Sequence, residues 1–174
     1  MKSWGGLVMV ALVASNIQAG CHNHNGGLVC SQTELKNIHL QGYVSLMNVA
    51  VGGETIIEGM LQAKKSKFSG NIKVKGSIHM KGSRVLGKTF IMGALDVENS
   101  RLKDIEITAK QAVFSQSQAG TVRVKRTPND TQRIYLQGGT LISGNIVFES
   151  GNGEVVKSDQ ARVLGQIIGG HVVK

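Results

Sequence analysis

Proline occurs once in this chain of 174 residues, aromatic side chains make up 4% of it and charged residues 18%. So few aromatics exclude a base-stacking sheet or a sugar-stacking groove as the main recognition device. No apolar run reaches the roughly 18 to 20 residues that carry a helix across a bilayer, so no transmembrane span is expected in the mature chain. Glycine is plentiful, at 23 residues, but it is neither a third of the chain nor spaced by three, which excludes a collagen-like rod. A hydrophobic content of 41% can bury a core and excludes a disordered tail. The length fits one ordinary domain.

The first segment has the three-part layout of an export signal. Lys2 supplies a positive start, residues 4–14 an apolar stretch, and residues 15–20 end in small side chains. Cleavage near 19/20 leaves a mature chain that has lost only Lys2 among its charges and carries +8. The expected location is periplasmic or extracellular, an oxidising compartment. Cys21 and Cys30 are the only cysteines and can close a small loop. Gly20-Cys21 also resembles a bacterial lipobox, with Gln18 where leucine is usual. Lipidation would anchor the protein through Cys21. The two fates of Cys21, disulfide or lipid, exclude each other.

The mature chain repeats. Gly42, Gly59, Gly76 and Gly93 stand 17 residues apart, each flanked at two residues on either side by aliphatics such as Val74 and Ile78. Val51, Phe68, Val85, Leu102 and Ala119 keep the interval, as do Ser66, Ser83, Ser100 and Ser117. One residue is missing near Asp104 and one is restored before Ala112. Within a unit, apolar and polar residues alternate, as in Ile72-Lys73-Val74-Lys75, which is a strand with one face in and one out. Evenly spaced hairpins of a sandwich need not return the same residue class at the same place. The reading is all-β: a single-stranded β-solenoid, a right-handed β-helix with about 17 residues per coil. Its parts are a signal peptide over 1–19, a leader over 20–34, regular solenoid over 35–125, an exposed loop over 126–133 around Pro128, and final coils with a cap over 134–174.

Residues 58–70 (EGMLQAKKSKFSG) and 70–82 (GNIKVKGSIHMKG) resemble the bactofilins, which are built on a right-handed, three-sided β-helix. The likeness covers residues 35–124 and, more loosely, the end. It implies coils of this length and self-assembly by end-to-end stacking. Bactofilins face the cytoplasm and lack a cleaved signal, so the fold carries over more readily than the cytoskeletal role.

No catalytic constellation stands out. There is no G-x-S-x-G elbow, P-loop or HExxH, and the serine column reads as turn residues. Residues 21–30 (CHNHNGGLVC) hold cysteines and histidines at a spacing that matches no zinc motif. No metal, cofactor or enzymatic activity is expected. The interval places Asp96 over His79 and Glu98 over Lys81, a surface charge ladder.

The main surface signal is basic. Between Glu58 and Asp96 lie eight cations and no acid. Lys67, Arg84 and Arg101 keep the 17-residue interval and form a column; Lys64, Lys65 and Lys81 flank it. Stacked like charges repel, and an anionic polymer relieves them with release of counterions. Lys110, Arg123 and Arg162 are expected on another side. The function read from the sequence is therefore a non-enzymatic, exported structural or surface-interaction protein binding anionic polysaccharide or lipopolysaccharide, with no specific nucleic acid. A polysaccharide-active β-helix enzyme, with Asp96 or Glu106 in its groove, and a self-assembling envelope filament are the alternatives.

Overall fold

The computed structural model describes residues 20–24, 26–128 and 131–173, so the export segment read over 1–19 lies outside the described residues. The protein is an all-β solenoid of about eight turns with no helix among the described residues. Ten-residue strands Ile38–Met47, Thr55–Lys64, Ile72–Lys81 and Thr89–Glu98 lie parallel and in register. Each turns a corner at its central glycine, where φ runs from +124 to +147. Two-residue strands such as Ala50–Val51, Lys67–Phe68 and Arg84–Val85 close each coil on a third side.

The alternation seen in sequence is the alternation of burial. In Thr55–Lys64, Thr55, Ile57, Leu61 and Ala63 are buried and Glu58, Met60, Gln62 and Lys64 face out. Gly59 takes the inward parity at the corner itself, and its equivalents stack on it. A Cβ on Gly76 would lie 2.0 Å from the carbonyl oxygen of Gly59, so no other residue fits without backbone movement. The phase shift near Asp104 also holds: Thr89 pairs with Ile105 while Leu95 pairs with Ala112. Buried columns, including Val51, Phe68, Val85, Leu102, Ala119 and Ile142, form one continuous apolar axis.

A second corner uses left-handed backbone without relying on glycine. Gln32, Asn48, Lys65, Asn99 and Gln116 have φ between +47 and +55, and Gly82 and Gly138 fill the same place. The next residue in four coils is the repeating serine. Ser66, Ser83, Ser100 and Ser117 are buried, and Thr140 continues them. Each hydroxyl accepts from the backbone N–H one coil earlier: Ser83 Oγ from Ser66, Ser100 Oγ from Ser83 and Ser117 Oγ from Ser100. Each also donates to a carbonyl two residues back, such as Glu98 for Ser100 at 2.8 Å. The ladder satisfies backbone that the corner removes from strand pairing.

A third corner alternates every two coils. Asn37, Asn71, Asp104 and Asn145 each accept, through Oδ1, the backbone N–H of the next coil's equivalent: Glu54, Lys88, Thr121 and Gln166. Each is followed by buried isoleucine, whereas Glu54 and Lys88 are followed by Thr55 and Thr89. The hydroxyls of those two threonines are buried without a partner.

Two boundaries differ from the sequence reading. Residues placed in the leader form an antiparallel hairpin, Gly20–His24 with Gly27–Ser31, whose second strand stacks on Ile38–Met47 as a coil does. Burial of Leu28 and Cys30 in the core draws it in. The exposed loop over 126–133 is also shorter than read. Gln132 is fully buried, its Nε2 donating to the carbonyls of Ala109 and Lys125 at 3.0 and 2.7 Å, and Arg133 already opens strand Arg133–Gln137. Asn129 and Asp130, the turn signal of that loop, lie outside the described residues.

The two glycine corners make opposite demands. Gly82 has φ +62, and a Cβ there would make only an ordinary contact with Lys65 Cγ at 3.6 Å, whereas at Gly76 it would strike backbone. Gly82→Ala should cost about 1 kcal/mol in urea unfolding, the strain of a left-handed residue alone. Gly76→Ala should cost several times as much or prevent folding; equal losses at the two sites would contradict this account of the corners.

Candidate functional site

Strand pairing decides which cations meet. Lys67 pairs with Arg84, and Arg84 with Arg101, in one parallel column that continues to Gln118. These residues are exposed. One position before each lies a buried serine, and one position before that a left-handed corner residue that faces out again. The result is an axial groove of about 440 Å³ crossing four coils. Ser66, Ser83, Ser100 and Ser117 lie along its base. Lys67, Arg84, Arg101 and Gln118 make one wall; Lys65, Gly82, Asn99 and Gln116 make the other. The serine hydroxyls are occupied by backbone, so the walls carry whatever chemistry the groove has.

Among the described residues no carboxylate lines the groove. Among the described residues no ion pair involves Lys64, Lys65, Lys67, Arg84 or Arg101. Arg101 Nε donates to Gln118 Oε1 at 2.9 Å, which fixes the guanidinium along the wall. Asn99, Gln116 and Gln118 escape the sequence reading: they keep the 17-residue interval from Gly82 and Arg101, but the residue type changes along it and no charge marks them.

The other flanking cations are spoken for. Lys81 stacks on Lys64, but its Nζ lies 2.8 Å from Glu98 on the following coil. Lys73 pairs with Glu54 and Lys75 with Glu58, each at 2.8 Å. The stretch that holds no acid in sequence thus receives acids from its neighbours in space. His79 Nδ1 lies 2.9 Å from Asp96, in the register expected. Arg162 corrects another expectation: its strand pairs with Leu141–Ile142, which pairs with Gln118–Ala119, so it belongs to the face of the basic column. Arg123 stands elsewhere, near Glu149 at 3.6 Å.

Asp96 and Glu98 line one surface cavity together, whereas Glu106 lines others with Asp104 and with Glu58. Asp96 and Glu98 project from one side of the coil, held by His79 and Lys81, while Glu106 lies on another, 3.8 Å from Lys125. Cys21 and Cys30 are joined by a disulfide across the hairpin, directly opposite one another. Their sulfurs are therefore not metal ligands in this form, and no cluster of three metal-binding side chains occurs among the described residues.

Comparison of the chain with protein-family models, with curated proteins and with solved structures finds no match.

The exposed ion pairs set a pH dependence. Hydrogen bonds from Lys73, Lys75, Lys81 and Lys125, with their charge, hold Glu54, Glu58, Glu98 and Glu149 below the ordinary carboxylate range. A lowered folded value means that the pairs contribute above the unfolded value and are lost as pH falls toward the folded one. The melting temperature should therefore be flat from neutral pH to about 5 and decline once pH passes the unfolded glutamate value, about 4.3. Added salt should make the decline shallower, because the pairs are exposed. Circular dichroism melts across pH at two salt concentrations test this; a decline starting near pH 6 would assign the effect to histidines instead.

Proposed function

We propose that the chain is an exported, non-enzymatic β-solenoid that acts as a structural or surface-interaction protein and holds anionic polymers along its basic groove. The observation that carries this reading is the uncompensated column. On the neighbouring side the coil stacking sets Lys73, Lys75 and Lys81 against glutamates, whereas Lys67, Arg84 and Arg101 stack on one another and, among the described residues, no acid lines their groove. Like charges at strand spacing repel, and a solvated face does not need them in a row. Export to the periplasm or the exterior, supported by the three-part export layout of the first residues and by a disulfide in the first hairpin, would bring envelope glycans and lipopolysaccharide within reach. Cys21 in a disulfide supports the soluble form over the lipid-anchored one. The resemblance to bactofilins supports a right-handed coil; it supports a cytoskeletal role less, since the chain opens with an export layout. Asp96 and Glu106, the two carboxylates of the enzyme alternative, line different cavities, and Asp96, Glu98 and Glu106 each lie against a basic side chain, which favours binding over catalysis.

The triple variant Lys67→Gln, Arg84→Gln, Arg101→Gln should elute from heparin at clearly lower salt than the parent and show a shallower salt slope. Folding should change little, since exposed substitutions stay within about 0.5 kcal/mol. A triple of equal charge change, Lys73→Gln, Lys75→Gln, Arg123→Gln, should matter less. Glu98→Gln, which frees Lys81 beside the groove, should strengthen retention more than Glu149→Gln does. Equal effects from both triples and from both glutamates would reduce the affinity to net charge and remove the groove from the account.

End-to-end association has its own observation. Val172 pairs with Val155 at an inward register, yet it is 45% exposed, and Val163 and Ile167, stacked on buried Ile142 and Ile146, are only partly buried. Strand Gly170–Val173 is paired on one edge only among the described residues. At the other end the hairpin reverses chain direction and stops parallel stacking. We propose that two copies meet through their last coils, giving a closed dimer and not a filament. Sedimentation velocity should show a monomer–dimer equilibrium that Val172→Lys abolishes; longer species, or a monomer at every concentration, would overturn it.

A further inference from the structure

Resting on that reading of the groove, we infer that its ligand is an extended glycan bearing about one anionic group per sugar ring, lying parallel to the solenoid axis and engaged over only three or four rings. The direction follows from the lining. Each of four successive coils contributes the same two outward positions, so the groove is long along the axis and narrow across it. The spacing follows from strand pairing. Lys67, Arg84 and Arg101 occupy adjacent rungs, and rungs stand about 4.8 Å apart, comparable to a sugar ring in an extended chain.

The length follows from what bounds the column. Beyond Lys67 come Ala50 and then Glu34, an acid; beyond Arg101 come Gln118 and Leu141, two rungs without charge, before Arg162. Three cations stand on adjacent rungs, with Lys65 across the groove from the first, and this unbroken run ends at Ala50 on one side and Gln118 on the other.

The class follows from the walls. A polymer made only of charge would be served by cations on both sides. Here the second wall is Lys65, Gly82, Asn99 and Gln116: one cation, a gap and two amides. Amides donate to and accept from neutral hydroxyls, and Gly82 leaves room for a substituent midway. Among the described residues no aromatic side chain lines the groove, which removes the stacking platform that single-stranded nucleic acid uses. The serine base contributes shape alone, because its hydroxyls serve the backbone.

Sulfated oligosaccharides of defined length are the probe, measured by calorimetry with the full mature protein. Affinity should rise from disaccharide to tetrasaccharide and then change by no more than the roughly twofold gain of extra binding frames through the octasaccharide. The slope of log affinity against log salt should sit near three and drop by about one in Arg101→Gln. Ala50→Lys adds a fourth cation in register with Lys67. It should raise the slope by about one and move the plateau out by one ring, whereas Met92→Arg, on another face, should do neither. Polyphosphate of equal charge, with its closer spacing and no hydroxyls, should bind more weakly. Affinity that keeps climbing with length, equal affinity for polyphosphate, or no difference between Ala50→Lys and Met92→Arg would overturn this inference while leaving a basic binding face intact. Loss of all binding dependence on Lys67, Arg84 and Arg101 would instead overturn the proposed function on which it rests.

Discussion

Parallel hydrogen bonding between coils makes each residue stand on its own counterpart one turn away, about 4.8 Å distant. A side chain in this fold is never placed once; it is placed as a member of a column. Apolar columns share one axis and become a core that no single coil could bury. Polar columns must solve the problem of repetition, and the chain solves it differently at each corner. Glycines stack where backbones come closest, as at Gly59 and Gly76. Serines hand hydrogen bonds from coil to coil, as from Ser66 to Ser83 to Ser100. Asparagine alternates with other residues, since its side chain serves the coil that follows and needs no copy there.

Charge obeys the same constraint. A lysine stacked on a lysine is unfavourable, and several outward cations meet a glutamate on a neighbouring coil: Lys73 with Glu54, Lys75 with Glu58, Lys81 with Glu98. Against that habit, Lys67, Arg84 and Arg101 stack unneutralised beside a groove that no acid lines. Their repulsion is a standing cost of the fold that an anionic ligand would remove. Geometry and electrostatics therefore converge on the same four coils.

The two ends of the rod are not equivalent. At one end, a disulfide-tied hairpin reverses the chain and covers the first coil along one side. At the other, inward-facing Val172 remains partly open to solvent. An open rung offers backbone groups and apolar surface together, the combination that invites a further strand.

The solenoid, its coil length, its strand phase and the one-residue slip between Thr89 and Ala112 are all legible in the sequence, because each is a periodicity and coil stacking turns sequence interval directly into spatial neighbourhood. The column of Lys67, Arg84 and Arg101 was legible for the same reason. Three things were not. Neutralisation of Lys81 by Glu98 depends on how far side chains lean between rungs, which the interval does not encode. Arg162 falls on the basic face because the coils after Ala112 lengthen by unequal insertions, so counting by 17 no longer finds its column. Residues 20–34 read as a leader because they lie outside the repeat; only packing of Leu28 and Cys30 against the first coil makes them part of the fold. Local period is written in the chain. Side-chain reach, and the phase that survives an insertion, are settled by tertiary contact.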